Sequence, residues 1–186
     1  MKKSILLISI SICNILTYGQ VKIAIGIKGG LNYSKVDISN ISTSGKTGYH
    51  GGVFGLFKFS KIGLQPEIIF SQQGSDLDVD SIWDTKYINI PIIIKLYIAT
   101  GVNLQIGPQF GFLNKAELDG QDIKNLLKSS DISLAMGIGW DAPFNMIFNA
   151  RYNLGLSNID NNPGSETIKN QVFQISAGIK LFKLKK

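Results

Sequence analysis

T-K-Y-I-N-I-P-I-I-I-K-L-Y-I, residues 85–98, carries an aliphatic side chain at every second position from Ile88 onward: Ile88, Ile90, Ile92, Ile94, Leu96 and Ile98. Between them stand Tyr87, Asn89, Pro91, Ile93, Lys95 and Tyr97. Side chains alternate across a strand, so one face is wholly apolar and the other is mixed, with a cation on it. A soluble sheet alternates too, but turns its apolar face inward. The rest of the chain argues that this one turns outward, to lipid.

The same alternation recurs on both sides. Val21, Ile23, Ile25, Ile27, Leu31 and Tyr33 share one face of a first strand, with Lys22, Lys28 and Asn32 on the other. A second strand, about 48–60, carries Tyr49, Val53, Phe57 and Phe59 on its apolar face. Phe54 and Leu56 fall on its supposed polar face, and Gly51, Gly52 and Gly55 are expected to allow a bulge that resets the register. In the third, 62–74, Leu64, Ile68 and Phe70 oppose Gln65, Glu67, Ser71 and Gln73. After the 85–98 strand come 102–113, 131–142, about 146–157 and 170–182, each with the same two faces. Pro66, Pro91 and Pro108 lie inside strands, where a missing N–H is unwelcome, and local bulges are expected there.

Eight strands result, joined alternately by very short turns (60–61, 99–101, 143–145) and long polar connections (34–47, 75–84, 114–130, 157–169). Strands of about 12 residues exceed the roughly 9–11 that cross a bilayer at a tilt. An even strand number with short turns on one side and long loops on the other is the layout of bacterial outer-membrane barrels. The non-aliphatic face carries Lys28, Asn32, Gln65, Glu67, Asn89, Lys95, Asn103, Gln105, Gln109, Asn149, Arg151, Asn153, Gln174 and Lys180 among small residues. Small residues leave room for long polar ones in a narrow lumen. Aromatics gather near strand ends on the apolar face: Tyr33, Tyr49, Phe70, Phe110 and Phe112 by the long loops, and Phe57, Phe59, Trp140 and Phe148 by the short turns. Two such girdles are what a membrane barrel requires. The expected fold is all-β: an eight-stranded antiparallel up-and-down transmembrane barrel in the outer membrane of a Gram-negative cell.

The front of the chain stands apart. Lys2 and Lys3 precede an apolar run over 4–16, and Thr17-Tyr18-Gly19 supplies small residues before a cut at Gln20. That is the three-part layout of a secretory signal peptide, so residues 1–19 are read as the signal and 20–186 as the barrel domain. Cys13 is the single cysteine and falls within the signal, leaving a mature chain without a thiol. Removing the signal lowers the formal charge from +6 to +4. The excess is diffuse, with no basic run interleaved with aromatics, which argues against nucleic acid.

An eight-stranded barrel is filled by its own side chains. Glu67, Lys95 and Arg151 fall at similar depth on the lumen face, with Asp141 and Lys180 nearer the short turns, so a structural ion network is expected among these five. A proton or ion path through the same residues is the functional counterpart.

Several segments also resemble the PorT-type outer-membrane β-barrel family of Bacteroidetes. They are G-I-K-G-G-L-N-Y-S (26–34), L-Q-P-E-I-I-F-S-Q-Q-G (64–74), Y-I-N-I-P-I-I-I-K (87–95), I-G-P-Q-F-G-F-L (106–113), R-Y-N-L-G-L-S-N-I (151–159) and V-F-Q-I-S-A-G-I-K-L-F (172–182). The resemblance runs through the mature chain in order and implies an outer-membrane barrel. Its name comes from a member that takes part in protein secretion, a role not carried over here.

Catalytic signals are sparse. His50 is the single histidine, expected at a solvated rim near Ser34, Asp37, Ser75 and Asp76, and no nucleophile motif accompanies it. A hydrolase or acyltransferase site at the extracellular mouth near His50 is the alternative to a non-enzymatic barrel. Asp76, Asp78, Asp80 and Asp84 cluster in one loop without the glycine and glutamate of an EF-hand, and read as a solvated acidic loop beside Trp83. No catalytic, metal or cofactor site is assigned and no cofactor is expected. The expected partners are outer-membrane lipid and surface or periplasmic proteins, with the barrel a monomer.

Overall fold

The computed structural model describes residues 21–38, 43–77, 81–118, 121–159 and 168–185. The proposed signal, 1–19, therefore lies outside the described residues. Period-two alternation makes strands almost throughout: β1 (Lys22–Ile38), β2 (Thr43–Phe59), β3 (Ile62–Leu77), β4 (Ser81–Tyr97), β5 (Val102–Leu118), a two-residue β6 (Gln121–Asp122), β7 (Ser130–Asp141), β8 (Met146–Gly155) and β9 (Ile168–Lys185). Neighbouring long strands pair antiparallel in chain order, and β1 also pairs with β9 over its whole length. The ring is closed, with eight long strands; β6 only pairs antiparallel with Glu117 and Leu118 at the end of β5.

The apolar face points out. Ile94 is 49 % exposed while its neighbour Lys95 is completely buried, and this alternation holds around the ring. Both aromatic sets, Tyr33, Tyr49, Phe70, Phe110 and Phe112 and then Phe57, Phe59, Trp140 and Phe148, lie on that exterior. Trp140 and Phe148 stack with ring centroids 6.0 Å apart. Such a surface is costly against water and suited to hydrocarbon, where the closed ring also pairs its backbone N–H and C=O groups between strands.

Three expectations need correction. Most strands are 16 to 18 residues long rather than about 12, because 34–38, 43–47, 75–77, 81–84 and 114–118, all read as loop, continue the ladders. Polar alternating sequence pairs as readily as apolar once its neighbours hold it in register.

The expected bulge at Gly51, Gly52 and Gly55 is absent: β1 and β2 keep one register from Lys22 to Ser34, and the shift against β3 falls between Gly45 and His50. Gly52 serves close approach instead, since a Cβ there would stand 2.0 Å from the Ile68 carbonyl oxygen. Phe54 and Leu56 simply point inward. Room for the Phe54 ring comes from Gly26 opposite, where a Cβ would lie 2.5 Å from Phe54 Cζ.

Nor do the prolines mark bulges. Pro66 pairs with Ile92, Pro91 with Gln109 and Pro108 with Leu134, with no register change at any of them. Gly107, where a Cβ would lie 2.0 Å from the Ile92 carbonyl oxygen, lets the β4 and β5 backbones close up beside two of these prolines.

The short-turn end is tight. Ser60 (φ 52°) sits in the two-residue β2–β3 turn, and Gly101 adopts φ +79° against the Asp141 carbonyl. Phe144 and Asn145 also take positive φ in a 3-10 turn over Pro143–Asn145.

Candidate functional site

The candidate site is the lumen. Alternation delivers one inward side chain from every second residue of eight strands, and most of these are polar. Glu67 of β3 is buried and fully engaged. Its Oε1 accepts from Arg151 Nη2 and from Gln65 Nε2, each at 2.6 Å, and its Oε2 from Arg151 Nη1 and Lys28 Nζ, each at 2.9 Å. Arg151 Nε donates to Gln105 Oε1 at 2.6 Å. Gln105 Nε2 in turn donates to Asn103 Oδ1 and Asn149 Oδ1, both at 2.8 Å. These amides occupy the space a side chain at Gly139 would need, since a Cβ there would lie 2.0 Å from Gln105 Nε2.

Asp141 at the end of β7 anchors a second group. It accepts from Lys95 Nζ at 3.1 Å, Lys180 Nζ at 2.7 Å and the Tyr97 hydroxyl at 2.9 Å. The five residues read from the sequence thus divide. Glu67 and Arg151 meet in one group, Asp141, Lys95 and Lys180 in the other, and Lys95 bonds Asp141 rather than Glu67. Lys28, seen in the sequence only as a lumen-face cation, is the second ion-pair partner of Glu67. Removing one partner from a buried pair leaves an uncompensated charge, so the groups hold or fail as units.

His50 was expected at a solvated rim. It is buried instead, at 4 % exposure, because β2 continues seven residues beyond it and its even position faces the lumen. Its Nδ1 lies 2.7 Å from Asn32 Oδ1. Asn32 Nδ2 donates to Ser71 Oγ at 2.9 Å and to the Gln72 carbonyl at 2.8 Å, which turns its Oδ1 toward the imidazole and makes His50 Nδ1 the donor. Ser34 is held by the Gly74 backbone, with its Oγ 2.9 Å from the Gly74 carbonyl oxygen. Asp78 and Asp80 lie outside the described residues, as do the side chains of Asp37, Ser75, Asp76 and Trp83. Asp84 accepts from Lys46 Nζ at 2.9 and 3.0 Å. Among the described residues no three potential metal ligands gather.

Two apolar plugs sit among the polar side chains of the lumen. At the short-turn end Ala24, Phe54, Leu56 and Ile147 pack together. At the long-loop end Tyr87 and Leu113 from the wall meet Ala116, Leu127 and Ile159, with Leu118, Ile123 and Ile168 around them. Backbone bonds from Lys128 N–H to the Ile159 carbonyl (2.8 Å) and from Ile159 N–H to the Ile168 carbonyl (3.0 Å) fix that cap. Polarity over 114–130 hides the cap, although Ile123, Leu126 and Leu127 signal it; a 3-10 turn at Lys124–Leu126 lies within it.

A protein-family model described as "outer membrane protein beta-barrel domain" matches residues 18–161. The chain belongs to this family. It is an outer-membrane β-barrel protein, and the wall continues beyond the matched segment through β9. Comparison with curated protein sequences finds no match.

Solved structures share the barrel. Neisserial surface protein A (NspA) superposes with a TM-score of 0.61 at 10 % identity, covering 84 % of this chain and 97 % of its own. Ail, the attachment invasion locus protein of Yersinia pestis, gives 0.56 at 18 % identity, with 89 % and 99 % covered. OprG from Pseudomonas aeruginosa gives 0.50 at 15 % identity, with 90 % and 97 % covered. At these identities the likeness is one of fold.

Proposed function

We infer that this outer-membrane β-barrel is a non-enzymatic scaffold that holds its strand-extended outer rim at the cell surface for contact with other macromolecules. The observation that carries the reading is the saturation of Glu67 by Arg151, Lys28 and Gln65 between two apolar plugs. A carboxylate with four donors is a poor general base, and a lumen packed with mutually paired side chains is a poor path for ions. His50 lacks a serine or carboxylate partner among the described residues, its Nδ1 being taken by Asn32.

The quoted segments favour placement in the PorT-type branch in Bacteroidetes, export by a signal at residues 1–19, and a monomer, since ring closure leaves no strand edge for a second copy. Planar-bilayer recording together with lipid- and peptide-turnover assays of the wild type and His50→Ala tests the reading. A silent membrane and no turnover are expected. Discrete conductance steps, or turnover that His50→Ala abolishes, would overturn it.

A further inference from the structure

The short-turn mouth of the barrel holds a cup of about 370 Å³ whose walls carry Lys22, Lys58, Lys180 and Lys183. Among the described residues the carboxylate there is Asp141, and it is already occupied by Lys95, Lys180 and Tyr97. Lys22 and Lys58 stand directly opposite each other across the β1–β2 ladder, on the inward face. Like charges at directly opposed positions destabilise a sheet. Lys58 Nζ sits 3.3 Å from the centroid of the Tyr97 ring, which softens its charge without neutralising it. Lys183 donates to Asn145 Oδ1. Ala24 and Leu56 of the inner plug also line the cup.

Beside Lys22 and Lys183 the cup reaches the outer surface of the β1–β9 seam. Ile23 and Leu184 line it as well; they pair across the β1–β9 seam and belong to the lipid-facing surface. A ligand there would meet ammonium groups inside and the bilayer at its side. The short turns place this end in the periplasm, at the inner leaflet of the outer membrane.

We propose that the cup binds the phosphate of an anionic glycerophospholipid from the periplasmic leaflet, with the headgroup between Lys22, Lys58 and Lys183 and the acyl chains passing out over Ile23 and Leu184. Lysine serves phosphate as a point charge, and several converging lysines suit a group whose oxygens point in several directions. The anion relieves the Lys22–Lys58 repulsion, so lipid and barrel stabilise each other.

The test uses the full chain folded in nanodiscs of phosphatidylcholine with or without phosphatidylglycerol, and in detergent with glycerol 3-phosphate. Lipid retention is read by native mass spectrometry and stability by the temperature at which the folded gel band converts to the unfolded one. Wild type should retain phosphatidylglycerol and melt higher in its presence. Lys22→Gln/Lys58→Gln should bind it about tenfold more weakly, yet melt no lower than wild type in phosphatidylcholine alone, because the repulsion has gone. Lys86→Gln, at the other end of the barrel, should behave as wild type. Retention undiminished in the double variant would overturn the site. Stabilisation by glycerol 3-phosphate with none by the lipid would overturn the lipid assignment. A double variant that melts well below wild type in phosphatidylcholine would show the lysines to be structural and overturn the repulsion argument.

Discussion

Glu67 and Arg151 sit on diametrically opposed walls of the barrel, β3 and β8 being four strands apart in either direction round the ring, and their side chains join across it at 2.6 and 2.9 Å. The pair spans 84 positions of sequence. It can form only once the ring has closed, so its energy reports on the finished barrel.

Replacing Arg151 by Met should therefore cost about 3–5 kcal/mol, the usual penalty for breaking a buried pair from one side. Urea unfolding of vesicle-inserted barrel measures this. A loss below about 1 kcal/mol would mean that the pair is solvated.

Glycine positions should differ sharply in tolerance. Gly26→Ala places a methyl 2.2 Å from the Ile179 carbonyl oxygen and 2.5 Å from Phe54 Cζ. A backbone oxygen cannot swing aside, so a loss of about 1–3 kcal/mol is expected from overpacking. Gly51→Ala meets nothing nearer than the Lys28 carbonyl oxygen at 3.8 Å and should be neutral. The gel shift of unboiled samples, measured against temperature, distinguishes the two.

On the exterior, Ile94→Arg should cost about 2–4 kcal/mol if Ile94 lies near the bilayer midplane. The same unfolding assay reads it, with Ile98→Arg near the short turns as the milder comparison.

The alternation from Ile88 to Ile98 was sufficient for strand direction and for the outward apolar face, because a period of two leaves no freedom once one residue is assigned. The same period sets Glu67, Lys95 and Arg151 on the face opposite the aliphatic one, and all three are buried. What the alternation does not encode is which inward side chains reach one another. Lys28 finds Glu67 because β1 and β3 lie two places apart in a strongly curved wall, and Lys95 bonds Asp141 because both sit low on the inner face. Strand ends are not legible in polarity, which marks where lipid stops and not where pairing stops. The same holds for the depth of His50, since the wall rises above it. The prolines read as faults in the ladder, but the register runs unbroken through all three.

The outer cap should be separable from the barrel. Leu127→Ala removes a buried contact to Tyr87 and Leu113 and should cost about 2 kcal/mol or more locally. Lys124 and Lys128 are exposed beside it. Trypsin should then cut the 121–129 segment faster than in wild type while the gel shift of the folded barrel persists. Equal cleavage rates would mean that the cap contributes nothing to order there.

The seam between β1 and β9 joins the first strand to the last over seventeen residues of β1. A message cut short before Ile168 would yield seven staves and two raw borders, each a row of unsatisfied amides at the entrance to a membrane. Closure of the wall thus waits on the final stave, and a nonsense mutation late in the gene should be as damaging as one near its start.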